Sequence, residues 1–104
     1  MTTTSSGPSR PTVQVVRIEA VGDGRLVIIA RCLATTRLGA CFRCVTLSGD
    51  VIDLMLVEIH RYPEVAVTEL DPPHGARLVL IGTGADGLQF DFGDVLHNID
   101  NPTA

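Results

Sequence analysis

The sequence predicts an all-β fold, a small closed barrel of six or seven antiparallel strands, on three observations. Short runs of Val, Ile and Leu are punctuated throughout by Gly, Pro and Asp, the pattern of half-buried strands joined by turns. Apolar residues nowhere recur cleanly at i, i+3, i+4 and i+7, so no helix is predicted. The strands are crowded between Thr12 and Asn98. That spacing leaves little room for the connections of a sandwich, and closure into a barrel removes aggregation-prone edges.

The first arm runs over about Val13–Val21 and the second over about Arg25–Thr35, with Gly22-Asp23-Gly24 between them. In the second arm Leu26, Ile28, Ala30, Cys32 and Ala34 form a wholly apolar face, and Arg25, Val27, Ile29, Arg31 and Leu33 a mixed one. In the first arm Val16, Ile18 and Ala20 share a face. A three-residue loop, Gly22 to Gly24, pairs Ala20 with Leu26, Ile18 with Ile28 and Val16 with Ala30, gathering both apolar faces on one side. A slip of one residue would invert every side chain, so this register is expected, with Gly24 supplying the left-handed residue at the loop's end.

A turn at Thr36–Ala40 leads to a third strand, about Cys41–Leu47, and Ser48-Gly49-Asp50 is the next turn. The fourth strand, about Val51–Tyr62, starts with Ile52, Leu54 and Leu56 on one face, but its apolar run then moves to Val57 and Ile59. That change of parity predicts a bulge near Leu56–Glu58. Pro63 ends this strand. Val65–Leu70, the loop Asp71–Gly75 and an apolar strand Ala76–Ile81 follow. Gly82–Asp91 reads as a loop anchored by Leu88 and Phe90, and Phe92–Leu96 as the final strand with its own turn.

With 104 residues the chain is one domain, long enough to bury a core without staples. Residues 1–11, rich in Thr, Ser, Gly and Pro, are expected to be a disordered tail with no apolar signal segment. The barrel spans 12–98, and 99–104 form a loose C-terminal tail. Aromatic residues make up only 4% of the chain, so the core is expected to be aliphatic. No apolar run approaches the ~18 residues of a membrane-spanning helix. Three Cys, an odd number, argue against a disulfide framework. A cytoplasmic protein is expected.

The net charge is −4, which disfavours non-specific nucleic-acid binding. Its distribution is uneven. Residues 1–50 carry six Arg against Glu19, Asp23 and Asp50, giving +3. Residues 51–104 carry Arg61 and Arg77 against nine carboxylates, giving −7. All eight basic residues are Arg, whose planar fork binds carboxylates bidentately.

The spacing of the turns resembles the second domain of translational GTPases of the elongation factor Tu type, itself a small six- or seven-stranded barrel. Gly22-Asp23-Gly24 followed by Arg25-Leu26-Val27-Ile28 matches that family's first hairpin, which reads glycine, one residue, glycine, then an apolar strand. Gly39 matches the second glycine of its next turn, and Gly93-Asp94-Val95-Leu96 its closing segment. Ala76–Gly84 lies where the family's penultimate apolar strand ends in glycine. The resemblance covers about Val13–Asn98. Ala34, Ala40 and Ile29 depart from it, where the family has a glycine, an acidic residue and a glycine. In the family this barrel contacts the nucleotide domain, aminoacyl-tRNA or the ribosome, so the resemblance implies a binding role. The G-x-x-x-x-G-K-[ST] phosphate loop is missing from the sequence, so no GTP binding is expected.

Few residues suggest chemistry of their own. Cys41-Phe42-Arg43-Cys44 is a CxxC, but on a strand i and i+3 point to opposite faces, and a structural zinc site needs four ligands. His60, His74 and His97 lack ligand spacing, and His60 reads as a surface ladder partner of Glu58. Asp86, Asp91 and Asp94 lack the alternation of a calcium loop. Ser48 has no nucleophile-elbow context. No catalytic residue, metal or cofactor is predicted. The mixed face of the hairpin is different. Its expected pairs are Val15 with Arg31, Arg17 with Ile29, Glu19 with Val27 and Val21 with Arg25. Apolar residues framed by Arg have the composition of an interface core. Arg17, Arg25, Val27, Ile29 and Arg31 are therefore the candidate binding residues of a non-enzymatic module. Its partner would be a protein, a ribonucleoprotein or a second copy. The alternative is a small-ligand or regulatory domain that works with a separately encoded enzyme.

Overall fold

The computed structural model describes residues 10–46, 48–61, 65–90 and 92–99. Of the tails expected at 1–11 and 99–104, residues 1–9 and 100–104 lie outside the described residues, as does the strand end at Pro63.

The strands are β1 (Thr12–Gly22), β2 (Arg25–Ala34), β3 (Thr36–Arg37), β4 (Cys41–Val45), β5 (Val51–Arg61), β6 (Val65–Val67), β7 (Glu69–Leu70), β8 (Gly75–Ile81) and β9 (Val95–Asn98). Six of them hydrogen-bond in the order β4-β9-β1-β2-β8-β5, and β4 pairs with β5 to close the ring. All these pairs are antiparallel. β6 extends β5 as an extra strand, and β3 and β7 form a separate two-stranded ribbon. The fold is thus the all-β closed barrel that the turn spacing predicts.

The interior is aliphatic. Val13, Val15, Leu26, Ile28, Ala30, Leu54, Leu56, Leu78 and Leu80 are at most 1% exposed, and Phe42 is the fully buried aromatic side chain among them. Strict alternation in β2 builds this core: Leu26, Ile28, Ala30 and Cys32 point inward, while Val27 and Ile29 are half-buried and Arg25 and Arg31 exposed.

The register of the first hairpin corrects the sequence-based expectation. The loop has two residues, Asp23 and Gly24, both in the left-handed region with φ 56° and 73°, and Gly22 pairs with Arg25. Two positive-φ residues make the turn whose twist matches the flanking strands. The inward faces come into line through register shifts between Ile18 and Ala20 and between Val15 and Arg17. Ile18 opposite Ile28 and Arg17 opposite Ile29 are as expected. Leu26, however, faces Val21, Val27 faces Ala20, Ala30 faces Val15 and Arg31 faces Gln14. The buried residues of β1 are Val13 and Val15, while Val16 and Ala20 are exposed. Each bulge adds a residue and flips the parity, so no single alternating pattern describes this strand.

The parity change in β5 does mark a bulge: the pairing with β8 shifts between Leu56 and Glu58, and both Leu56 and Ile59 are buried. Other boundaries moved. Thr36–Arg37, expected within a turn, pairs with Glu69–Leu70. Thr36 is fully buried, its hydroxyl donating to the Ala34 carbonyl at 2.8 Å. The last strand begins at Val95, and Phe92-Gly93 is a turn. The 82–90 connection holds a 3-10 turn, Ala85–Gly87, with Ala85 and Leu88 buried and Phe90 packed on the core.

Candidate interaction face

The antiparallel registers of β1, β2, β8 and β5 set outward side chains side by side in rows. Gly22, Arg25, Ile81 and Met55 form one row, which continues to Cys41 on β4. Ala20, Val27, Val79 and Glu58 form the next. Arg17, Ile29, Arg77 and His60 follow, then Gln14, Arg31 and Gly75. All five candidate binding residues therefore stand on one outer face, with Val27 and Ile29 between the arginines.

The face is larger than the hairpin. Arg77, Val79, Ile81 and Met55 belong to it and were not among the sequence-derived candidates. The alternation Arg77, Val79, Ile81 was visible in β8, but only the β2–β8 and β5–β8 pairings bring it beside Val27 and Ile29. Ile81 and Met55 are 43% and 44% exposed, whereas Val79 is only 3% exposed, so the middle of the face is itself packed.

The charges are tied together. Glu19, the extra residue at the shift between Ile18 and Ala20, accepts from Arg17 Nη2 at 3.0 Å and from Arg77 Nε at 2.8 Å. The Arg17 and Arg77 hydrogen bonds hold its carboxyl below the ordinary 4.5. Glu58 lies 2.7 Å from His60 Nε2 and 4.0 Å from Arg25 Nη2, and the His60 bond lowers its pKa in the same way. Arg31 has no ion-pair partner among the described residues. Four arginines thus stand against two glutamates on this face.

The other candidates sort by burial. Cys41 and Cys44 face opposite sides of β4, Cys41 half-exposed beside Met55 and Cys44 buried beside Ile52. Burial, then the nearby Asp53 charge, pushes the Cys44 thiol up to about 11. Cys32 is also raised, chiefly by burial, and its Sγ contacts the carbonyls of Ala34 at 2.9 Å and Leu70 at 3.2 Å. Among the described residues, no group of three or more His, Cys, Asp or Glu is placed to hold a metal ion. Asp86 accepts the Gly24 N–H at 3.1 Å and so fastens the hairpin turn to the 82–90 connection. Among the described residues no helix is long and apolar enough to cross a membrane. No protein-family model matches the chain, and no curated protein matches it either.

Proposed function

We propose that this chain is a non-enzymatic binding barrel, built like the second domain of elongation factor Tu-type translational GTPases, and that it presents the β1-β2-β8-β5 face to a protein or ribonucleoprotein partner. The carrying observation is the row order: Val27, Ile29 and Ile81 lie among Arg17, Arg25, Arg31 and Arg77. Arginine beside apolar side chains is the composition enriched at interface cores. Two glutamates on the face weaken its attraction for a phosphate backbone, which favours a protein surface bearing carboxylates. The buried, protonated thiol of Cys44 supports a binding role over thiol chemistry, since the thiolate is the nucleophile. Its free cysteines suit a reducing cytoplasm.

The test is a pull-down from native lysate with the wild-type chain and with Ile29→Asp, each with and without nuclease. A partner captured by the wild type and lost with Ile29→Asp is the expected result. Nuclease sensitivity of that capture would make the partner a ribonucleoprotein. Equal capture by a folded Ile29→Asp variant would remove the face from the interaction.

A further inference from the structure

At the end of the face, the Asp23-Gly24 turn, β5 and β8 enclose an open recess of about 430 Å³. Leu54, Met55 and Ile81 line it with apolar surface, and Cys41 and Thr83 stand at its side. The recess is held in shape by a close approach of backbones. The Gly82 N–H donates to the Gly24 carbonyl at 2.9 Å, and a Cβ on Gly82 would sit 2.3 Å from the Asp53 carbonyl oxygen. Asp23 and Asp53 are thereby fixed on the recess wall.

The two carboxylates differ. Arg43 holds Asp53 through both oxygens, Nε at 2.8 Å and Nη2 at 3.1 Å. Asp23 is exposed and has no ion-pair or hydrogen-bond partner among the described residues. Arg25, the cation in the row beside the recess, lies 4.0 Å from Glu58 on the neighbouring row. An occupant that is apolar throughout would cover Met55 and Ile81 but strip water from Asp23 without replacing it. An anion would meet two carboxylates. A side chain with a long aliphatic stem and a cationic tip satisfies both surfaces.

We propose that this recess takes a lysine or arginine side chain of the protein partner, its stem on Met55 and Ile81 and its charged tip at Asp23. The proposal rests on the reading of the outer face as protein-binding and adds the chemistry of one anchor. Beside the arginine rows, it describes a partner segment in which a basic residue is flanked by acidic ones.

The experiment is a methyl NMR titration with a capped Leu-Lys-Leu peptide and its Leu-norleucine-Leu counterpart, which keeps the stem and lacks the charge. The Met55 ε-methyl and Ile81 δ1-methyl signals should move with the lysine peptide. The norleucine peptide should bind roughly two- to fivefold more weakly, the span of an exposed ion pair. Asp23→Asn should abolish that difference while keeping the turn, because Asn tolerates positive φ. Equal or tighter binding of the norleucine peptide would overturn the proposal, as would Met55 and Ile81 methyls that do not move. These peptides read the recess alone, whereas Ile29→Asp reads the face two rows away, so the two readings fail separately.

Discussion

Gly82 has no space for a side chain. An added Cβ would lie 2.3 Å from the Asp53 carbonyl oxygen and 2.9 Å from Leu54 Cδ2, and neither the backbone atom nor the buried Leu54 can yield cheaply. Gly82→Ala should therefore cost about 1–3 kcal/mol, as overpacking does. Gly22→Ala, with nothing within 4 Å of its Cβ, should stay within about 0.5 kcal/mol of wild type. Urea midpoints of the two variants check this. The charged residues give a pH dependence with a definite sign. Glu19, Glu58 and Asp53 titrate below their ordinary values of 4.5, 4.5 and 3.8, held by Arg17 and Arg77, by His60, and by Arg43 respectively. Just below those ordinary values the unfolded chain binds more protons than the folded one, so stability rises with pH there. The contribution is complete above 4.5 and is lost as pH falls through the folded values. Midpoints measured from neutral pH down to about pH 3 should fall, and Glu19→Gln should flatten that fall. An unchanged slope in Glu19→Gln would mean that its two arginine bonds do not form in solution.

β2 was legible because its inward face is apolar at every second position, and no irregularity interrupts its pairing with β8. β1 was not, because the three register shifts in its pairing with β2 leave no constant period to read. Two-residue strands such as β3 and β7 carry too few positions for a pattern, and the Arg77 and Ile81 part of the face depended on a pairing between distant segments. Where the pattern in β1 failed, the shifts have a use. Beyond Val15, whose N–H and C=O bond to Asp94 and Gly93, β1 has β2 on one side and no strand on the other among the described residues. Bulges and charge on such an edge interrupt the regular template that another chain would need. One of them also aims Glu19 at Arg17 and Arg77. The inward–outward assignment of β2 gives the sharpest test at this scale. Ile28 is 0% exposed, so Ile28→Asp buries an unpaired charge and should abolish folding. Ile29, half-buried between Arg17 and Arg77, should accept Asp with the fold intact. Circular dichroism and amide dispersion distinguish them, and the reverse result would invert the face.

The number and kind of strands followed from turn spacing, but the order in which they close did not. The four-residue β9 lies between β1 and β4, pairing Leu96 with Val13 and His97 with Arg43. Its end is bound more firmly than its length suggests. Asn98 Nδ2 and the Ile99 N–H both donate to the Cys41 carbonyl, at 2.8 and 2.9 Å, and the Asn98 N–H donates to Pro11 at 3.2 Å. The ring is therefore completed by the strand that comes last in chain order among those described, and each barrel strand depends on two neighbours. Damage to β9 should then spread to the whole barrel. Leu96, 3% exposed, is its core residue, and Leu96→Ala should cost about 2–5 kcal/mol, with all probes losing structure in one transition. Phe92, four residues earlier and 80% exposed, is the larger side chain, yet Phe92→Ala should stay within about 0.5 kcal/mol. Denaturation followed in parallel by far-ultraviolet dichroism and by Met55 methyl NMR would check both. If Leu96→Ala loosened only β9 and left the β2–β8–β5 ladder at wild-type stability, the barrel would not be one cooperative unit. The candidate interaction face would then stand on that ladder alone.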